Sequence, residues 1–246
     1  MSVRSGSSTL IMGVVIYLLG MTFSDVYAEP WSGEQSERNL TVTLQGASYL
    51  PEIDNEFVDM EGAQRPYERV FGNQSPTMFS LLVDRHFYQG FGVISGGVGF
   101  GYWNVEGESE SEEASAETTE MTINPMSVHL SYRFDLFQKY LPIVPHFRGG
   151  LSYFSWTIYK GNGDVATFDT GEEASGGTLG WHYAVGAQFL LDALDREMAW
   201  AFDRDAGVNH SYFTVEYQVA RVDDFADPDS FRLGNTSVFF GLALDI

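Results

Sequence analysis

Apolar positions along this chain recur at every second residue rather than every third or fourth. In Leu40-Thr41-Val42-Thr43-Leu44-Gln45 the even positions are apolar and the odd ones polar, which is the period of a half-buried strand. Seven further runs follow. The second sets Phe79, Leu81, Val83 and Phe87 against Ser80, Asp84 and His86, with Leu82 and Arg85 out of phase. After a Gln89-Gly90 link, predicted to be a tight hairpin, Ile94, Val98, Phe100 and Tyr102 oppose Ser95, Gly97, Gly99 and Gly101. Met126, Val128, Leu130, Tyr132 and Phe134 then face away from Ser127, His129, Ser131 and Arg133. In the fifth run Phe147, Leu151 and Tyr153 oppose His146, Arg148 and Ser152, but Phe154, Trp156 and Ile158 blur the alternation and suggest a bulge. Tyr183, Val185, Phe189 and Leu191 against His182, Ala184, Gly186 and Gln188 make the sixth. Phe213, Val215, Tyr217 and Val219 against Tyr212, Thr214, Glu216 and Gln218 make the seventh. The last sets Val238, Phe240, Leu242, Leu244 and Ile246 against Ser237, Gly241, Ala243 and Asp245.

Eight runs predict eight strands, with ten as the alternative because the fifth is irregular. Their connections alternate in kind. Segments 51–75, 104–120, 160–178 and 221–234 are long and acidic, whereas 89–90, 135–143 and 192–207 are the intervening links. Within the last of these, Leu194, Met198 and Phe202 at a spacing of four predict a short amphipathic helix; residues 135–140 predict one helical turn capped by Asp135. A soluble sandwich would keep its outward face polar. Here the minority face is small or polar, with Asp84, Arg133, Arg148 and Glu216 among glycines, while the apolar face is aromatic at its ends, as in strands that meet lipid. Unpaired backbone groups are not tolerated in lipid, so such a sheet must close. The expected fold class is all-β, an eight-stranded antiparallel up-and-down transmembrane β-barrel with short periplasmic helical turns.

The first residues sharpen the expected address. Arg4, an apolar stretch over 10–20 and Val26-Tyr27-Ala28 have the form of a secretory signal, giving a signal peptide over 1–28, a periplasmic segment over 29–37 and the barrel over 38–246. The apolar stretch is shorter than the roughly 20 residues of a spanning helix. The chain has no cysteine, so an exported fold must rest on hydrogen bonding and packing. A net charge of −21 argues against nucleic acid, and against an anionic lipid surface, as a partner of the chain as a whole.

The closing Gly241-Leu242-Ala243-Leu244-Asp245-Ile246 resembles the assembly signal of outer-membrane barrels through Gly241, Leu244 and Ile246, with Ile where an aromatic is usual. Further segments carry a family resemblance: Leu141-Pro142-Ile143-Val144-Pro145 leading into Gly149-Gly150-Leu151-Ser152-Tyr153, Gly180-Trp181-His182, Leu190-Leu191-Asp192-Ala193-Leu194-Asp195, Gly207-Val208-Asn209-His210-Ser211-Tyr212, Glu216-Tyr217 and Val238-Phe239-Phe240-Gly241-Leu242-Ala243. Together they resemble a family of small outer-membrane β-barrel proteins of myxobacterial type, with OmpA-like architecture. The resemblance implies a barrel in the outer membrane and brings no catalytic residue with it.

Candidate chemistry lies in two places. Asp84, His86, His129, Arg133, His146, Arg148, His182 and Glu216 fall on the face assigned to the lumen, as does His210. In a barrel this narrow they are expected to form an ion-paired filling. Their spacing supports no metal site. His210 and Ser211 are neighbours whose side chains should point to opposite faces, so a Ser–His nucleophile is not expected; Asp164, Asp169 and His182 show no pairing in the sequence. The four long segments hold 21 acidic and 5 basic residues, a net −16. Among them Asp223, Asp224, Asp227 and Asp229 are the best candidates for a divalent-cation loop. No cofactor is expected. The expected function is a largely plugged barrel with a structural or surface-interaction role through acidic extracellular loops. The alternatives are a narrow pore for small solutes and an outer-membrane lipid-modifying enzyme or protease. Expected partners are outer-membrane lipids, lipopolysaccharide and the barrel-assembly machinery, with the chain a monomer and its termini periplasmic.

Overall fold

The computed structural model describes residues 38–57, 65–109, 117–136, 138, 140–168, 171–194, 196–227 and 230–246. The expected signal peptide and the 29–37 segment lie outside them. Eight strands form one closed antiparallel barrel in sequence order. They are β1 (Leu40–Ser48), β2 (Thr77–Gly90), β3 (Gly92–Ser109), β4 (Glu117–Arg133), β5 (Ile143–Lys160), β6 (Ser175–Leu190), β7 (His210–Val222) and β8 (Asn235–Asp245). β8 closes on β1, with Thr41 opposite Asp245 and Gly46 opposite Phe240. Closure leaves no sheet edge.

The local expectations are corrected in four places. The β2–β3 turn has its apex at Phe91, between the paired Gly90 and Gly92, and Gly92 takes the positive φ of 94° that the tight reversal demands. The register of β5 is unbroken from His146 to Lys160 against β4 and from Ile143 to Thr157 against β6; the bulge lies in β2, between His86 and Tyr88. Asp135 heads a hydrogen-bonded turn, its carbonyl accepting from the Gln138 N–H at 3.0 Å, in place of the expected helical turn. The described residues of the acidic 104–120 segment are strand, because β3 and β4 continue in register to Ser109 and Glu117. The helix between β6 and β7 falls where its spacing placed it, as a 3₁₀ turn (Leu191–Ala193) followed by α2 (Arg196–Ala206).

The apparent blur in β5 has a physical cause. Alternation persists through the whole strand, but the chemistry of the two faces exchanges part-way. Near the chain termini the inward residues are polar, among them His146, Arg148 and Ser152, and the outward ones, Phe147 and Leu151, are apolar. Nearer the loops the inward residues Phe154 and Trp156 are buried and apolar, whereas the outward ones are Ser155 and Thr157. β3 repeats this with Trp103 and Val105 inside and Asn104 and Glu106 outside; β4 does so with Ile123 and Met121 inside and Asn124 and Thr122 outside. The interior therefore has two storeys. The one at the loop end is an apolar core of Trp103, Met121, Ile123, Phe154, Trp156 and Phe239.

Loop residues cap this core. Trp156 stacks on Phe231 at 4.7 Å, and the Tyr49 hydroxyl donates to the Leu233 carbonyl at 2.6 Å. A 3₁₀ turn (Glu52–Phe57) leads towards α1 (Pro66–Phe71), which presses Tyr67 and Phe71 into the core. So short a helix needs its ends satisfied. Pro66 opens it, and the Asp54 carboxylate accepts the N–H groups of Tyr67 and Glu68 at 2.8 and 3.0 Å. Burial, reinforced by Asp54, pushes the Tyr67 phenol well up, so it stays neutral. Below the exchange level the outward face is a belt of exposed apolar side chains, including Leu44, Phe79, Leu81, Leu130, Leu151, Val185, Phe213, Phe240 and Leu242.

Candidate functional site

The storey nearest the termini gathers the charged residues. Each reaches the lumen because it sits on the inward phase of its strand, and the register decides which residues meet. Arg133 on β4 grips Asp245 on β8 through two hydrogen bonds, 2.8 and 2.9 Å, with the two side chains 5% and 0% exposed. Thr41 donates to the same carboxylate at 2.6 Å, and its Oγ1 lies 2.7 Å from Nε2 of His86. The Arg133 guanidinium also lies over the Tyr212 ring, 5.6 Å from its centre. Across the lumen Glu216 bridges His146 and Arg148, both at 2.8 Å. Asp84 accepts from His129 and Ser131, both at 3.0 Å. His182 lies 2.8 Å from Ser152 Oγ and presents its ring edge to His129.

Asp84, His86, His129, Arg133, His146, Arg148, His182 and Glu216 are thus buried in one storey, whereas His210 is half-buried outside it. Burying charges stabilises little or nothing unless each finds a partner, and these do. The charges nearly balance as well. Asp84, Glu216 and Asp245 face two guanidinium groups, so one carboxylate is left to the imidazoles, and Asp84 is the one held by a histidine rather than an arginine. Two small cavities lie within the network. One of about 40 Å³ touches Gln45, Ser127, Arg148, Ser152 and His182; another of about 30 Å³ touches Asp84, Ser131, Arg133, His146 and Glu216. Each has room for a few water molecules at most.

Sequence reasoning missed Asp245, Thr41 and Ser152 as network members. Asp245 was legible as a polar residue on the inward phase of the last strand, but its partner Arg133 is 112 residues away. It also missed the Ser152–His182 contact. Among the described residues no carboxylate meets the His182 ring, and the adjacent cavity holds about 40 Å³. His210 and Ser211 do act together, against expectation. Both converge on Asp192: His210 Nδ1 lies 2.7 Å from Oδ2, while the Ser211 N–H and hydroxyl donate to Oδ1 at 3.0 and 2.9 Å. They are neighbours that share an acceptor, not a nucleophile and its base. Partial burial pushes the Asp192 carboxyl up, but the hydrogen bonds from His210 and Ser211 outweigh it and hold it below the ordinary value.

The acidic candidates are differently placed. Asp223 accepts the Ala226 N–H at 3.1 Å and Asp224 the Leu179 N–H at 2.7 Å, in a turn where Asp224, Phe225 and Ala226 all take positive φ. The Asp223 carboxylate holds the turn itself, and that of Asp224 ties the turn to β6. Asp229 and Asp169 lie outside the described residues, and among the described residues no group of three or more His, Cys, Asp or Glu is arranged to hold a metal ion. Asp164 pairs with Asn162 in an exposed loop, remote in sequence and bonding from His182. Gly241, Leu244 and Ile246 lie on the closing strand and its end, with Gly241 packed so closely that a Cβ there would stand 2.3 Å from the Leu44 carbonyl oxygen.

No protein-family model and no curated protein matches this sequence. Among solved structures the chain is similar to the outer membrane protein OprG from Pseudomonas aeruginosa, at 13% identity and a TM-score of 0.45 over 86% of this chain and 97% of that one. It is similar to Neisserial surface protein A at 9% identity and 0.44, over 87% and 99%. The attachment invasion locus protein Ail of Yersinia pestis, crystallised with the heparin analogue sucrose octasulfate, gives 10% and 0.41 over 87% and 100%. Likeness at this level assigns no activity to the present chain.

Proposed function

We propose that this protein is an integral outer-membrane barrel with a closed lumen, whose role is structural or one of surface interaction through the acidic loops that its loop end presents. The observation that carries the reading is the exchange of faces along β3, β4 and β5. Where the outside is apolar the inside is an ion-paired network; where the outside turns polar the inside becomes a dry core. Lipid around the first part and water around the second account for both halves at once. On β2 the outward positions from Phe79 to Phe87, apolar but for Arg85, span a height of roughly 20 Å for tilted strands, close to the belt of known barrels.

In this reading the termini are periplasmic, the loops extracellular and the chain monomeric. Its partners are outer-membrane lipids and lipopolysaccharide, with Gly241, Leu244 and Ile246 read by the barrel-assembly machinery. The filled interior argues against a pore, since Trp103, Ile123 and Trp156 occupy the axis at one level and the Arg133 and Glu216 networks at the other. The enzyme reading lacks a paired nucleophile with room for substrate. The test has two parts. Unheated protein should migrate anomalously on a denaturing gel and shift on boiling, and purified barrel in planar bilayers should give no steady unitary currents. Steady currents would remove the closed-lumen reading, and a mature chain recovered in water without detergent would remove the membrane reading.

A further inference from the structure

The outward belt contains one anomaly. Among the described residues of the strands, the outward positions below the exchange level are uncharged except for Arg85 on β2. Its side chain is exposed and has no hydrogen-bond or ion-pair partner among the described residues; by contrast Arg221, at the loop-side edge, is held by Glu52 at 2.6 Å. Arg85 stands five residues before the end of β2, roughly 13 Å along the barrel axis for a strand of ordinary rise and tilt. Between it and the terminus-side turn lie the exposed rings of Phe87, Tyr88 and Phe91. Directly opposite Arg85 in register is Gly96, whose missing side chain leaves a shallow recess: a Cβ there would meet Phe87 at 3.4 Å and Leu130 at 3.7 Å.

A bare cation in such a belt is costly unless its long stem carries the charge to an anion at the membrane surface. We infer that Arg85 and the recess over Gly96 bind one phospholipid of the leaflet on the terminus side. The guanidinium takes the phosphate diester, and an acyl chain lies across Gly96 between Phe87 and Leu130. Charge selects the occupant, because the planar fork of arginine matches two phosphate oxygens. This inference rests on the membrane reading above.

The test is native mass spectrometry of the refolded barrel in dodecyl maltoside, titrated with dimyristoylphosphatidylglycerol, with dimyristoylglycerol as the phosphate-free control. Wild type should retain one phosphatidylglycerol and little diacylglycerol. Arg85→Gln should weaken retention roughly tenfold, as expected for loss of a charge-assisted hydrogen bond, with Arg85→Lys in between. Gly96→Leu, which fills the recess and leaves the charge, should also weaken it. Equal retention by Arg85→Gln, or equal binding of diacylglycerol, overturns the inference. So does a dimer that Arg85→Gln dissolves, which would assign the cation to a carboxylate of a second copy. Heat-shifted gel migration of every variant shows that the barrel itself stands, so its loss would mark failure of the membrane reading instead.

Discussion

Removing the carboxylate of Asp245 while leaving Arg133 in place tests the lumenal network most directly. The pair is almost dry, and four hydrogen bonds converge on the carboxylate, two from the guanidinium, one from Thr41 and a longer one from the Tyr212 hydroxyl at 3.4 Å. Asp245→Asn keeps the volume but sets an amide against a buried cation, which should cost about 3–5 kcal/mol. The pair as a whole is a different matter, because desolvating two charges offsets most of their attraction. Arg133→Met combined with Asp245→Leu should therefore lie within about 2 kcal/mol of wild type, in either direction. The assay is urea unfolding of the barrel in phospholipid vesicles, followed by tryptophan fluorescence and by unheated gel migration, which keeps any effect on cellular assembly out of the measurement. If Asp245→Asn costs less than about 1 kcal/mol, or the double variant is as unstable as the single, the network is not an interdependent buried pair and the reasoning fails.

Three other outcomes are expected. Trp156→Ala should destabilise by about 3–5 kcal/mol by emptying the apolar storey, whereas Leu151→Ala on the exposed outward face should cost much less in vesicles; equal losses in the same urea assay would contradict the two-storey interior. Gly97→Val should separate Asp84 from His129, since even a Cβ would lie 2.7 Å from both, and should unfold the barrel at lower urea than Gly96→Ala on the outward face; no difference would refute the close approach. The turn held by Asp192 should respond to acid. Its folded carboxyl titrates below the ordinary 3.8, so its stabilisation is complete above that pH and is lost as pH falls through the lowered value. Asp192→Asn should flatten that part of the stability profile between pH 5 and roughly 2, and an unchanged acid limb would count against the hydrogen bonds from His210 and Ser211.

What the sequence revealed was phase. Period two places Asp84, His129, Arg133, Arg148 and Glu216 inside without any knowledge of pairing, because a strand's side chains alternate whatever lies beside it. Partners are another matter. Arg133 meets Asp245, and Ser152 meets His182, through registers set over the whole sheet, which no local pattern contains. The bulge was assigned to the wrong strand for a related reason. Phe154, Trp156 and Ile158 broke the rule that inward residues are polar, and a bulge would have restored it by turning them outward. The rule itself changes along β5, so no turning is needed. The acidic composition of 104–120 hid strands for the same reason, since glutamates at alternate positions are what a water-facing strand end carries.

The exchange of faces also fixes a level on the barrel, and the pairings show that the level is shared. Asn124, the first polar outward residue of β4, lies opposite Ser155, the first of β5, which lies opposite Gly177 on β6. Ser48 at the end of β1 lies opposite Thr77 at the start of β2. A sandwich or a soluble barrel has no reason to switch its apolar face at corresponding positions on successive strands. A flat boundary between two media requires it, because each strand must become polar outside where it leaves the apolar medium. On the membrane reading proposed above, the strands beyond that boundary are no longer surrounded by lipid, and a polar lumen there would be flanked by water on both sides. Filling it with Trp103, Ile123 and Trp156 supplies the burial that such a stalk needs, and it places the acidic loops on a rigid support rather than on a mouth. The core that closes the lumen is thus a consequence of the strands' outgrowing the belt.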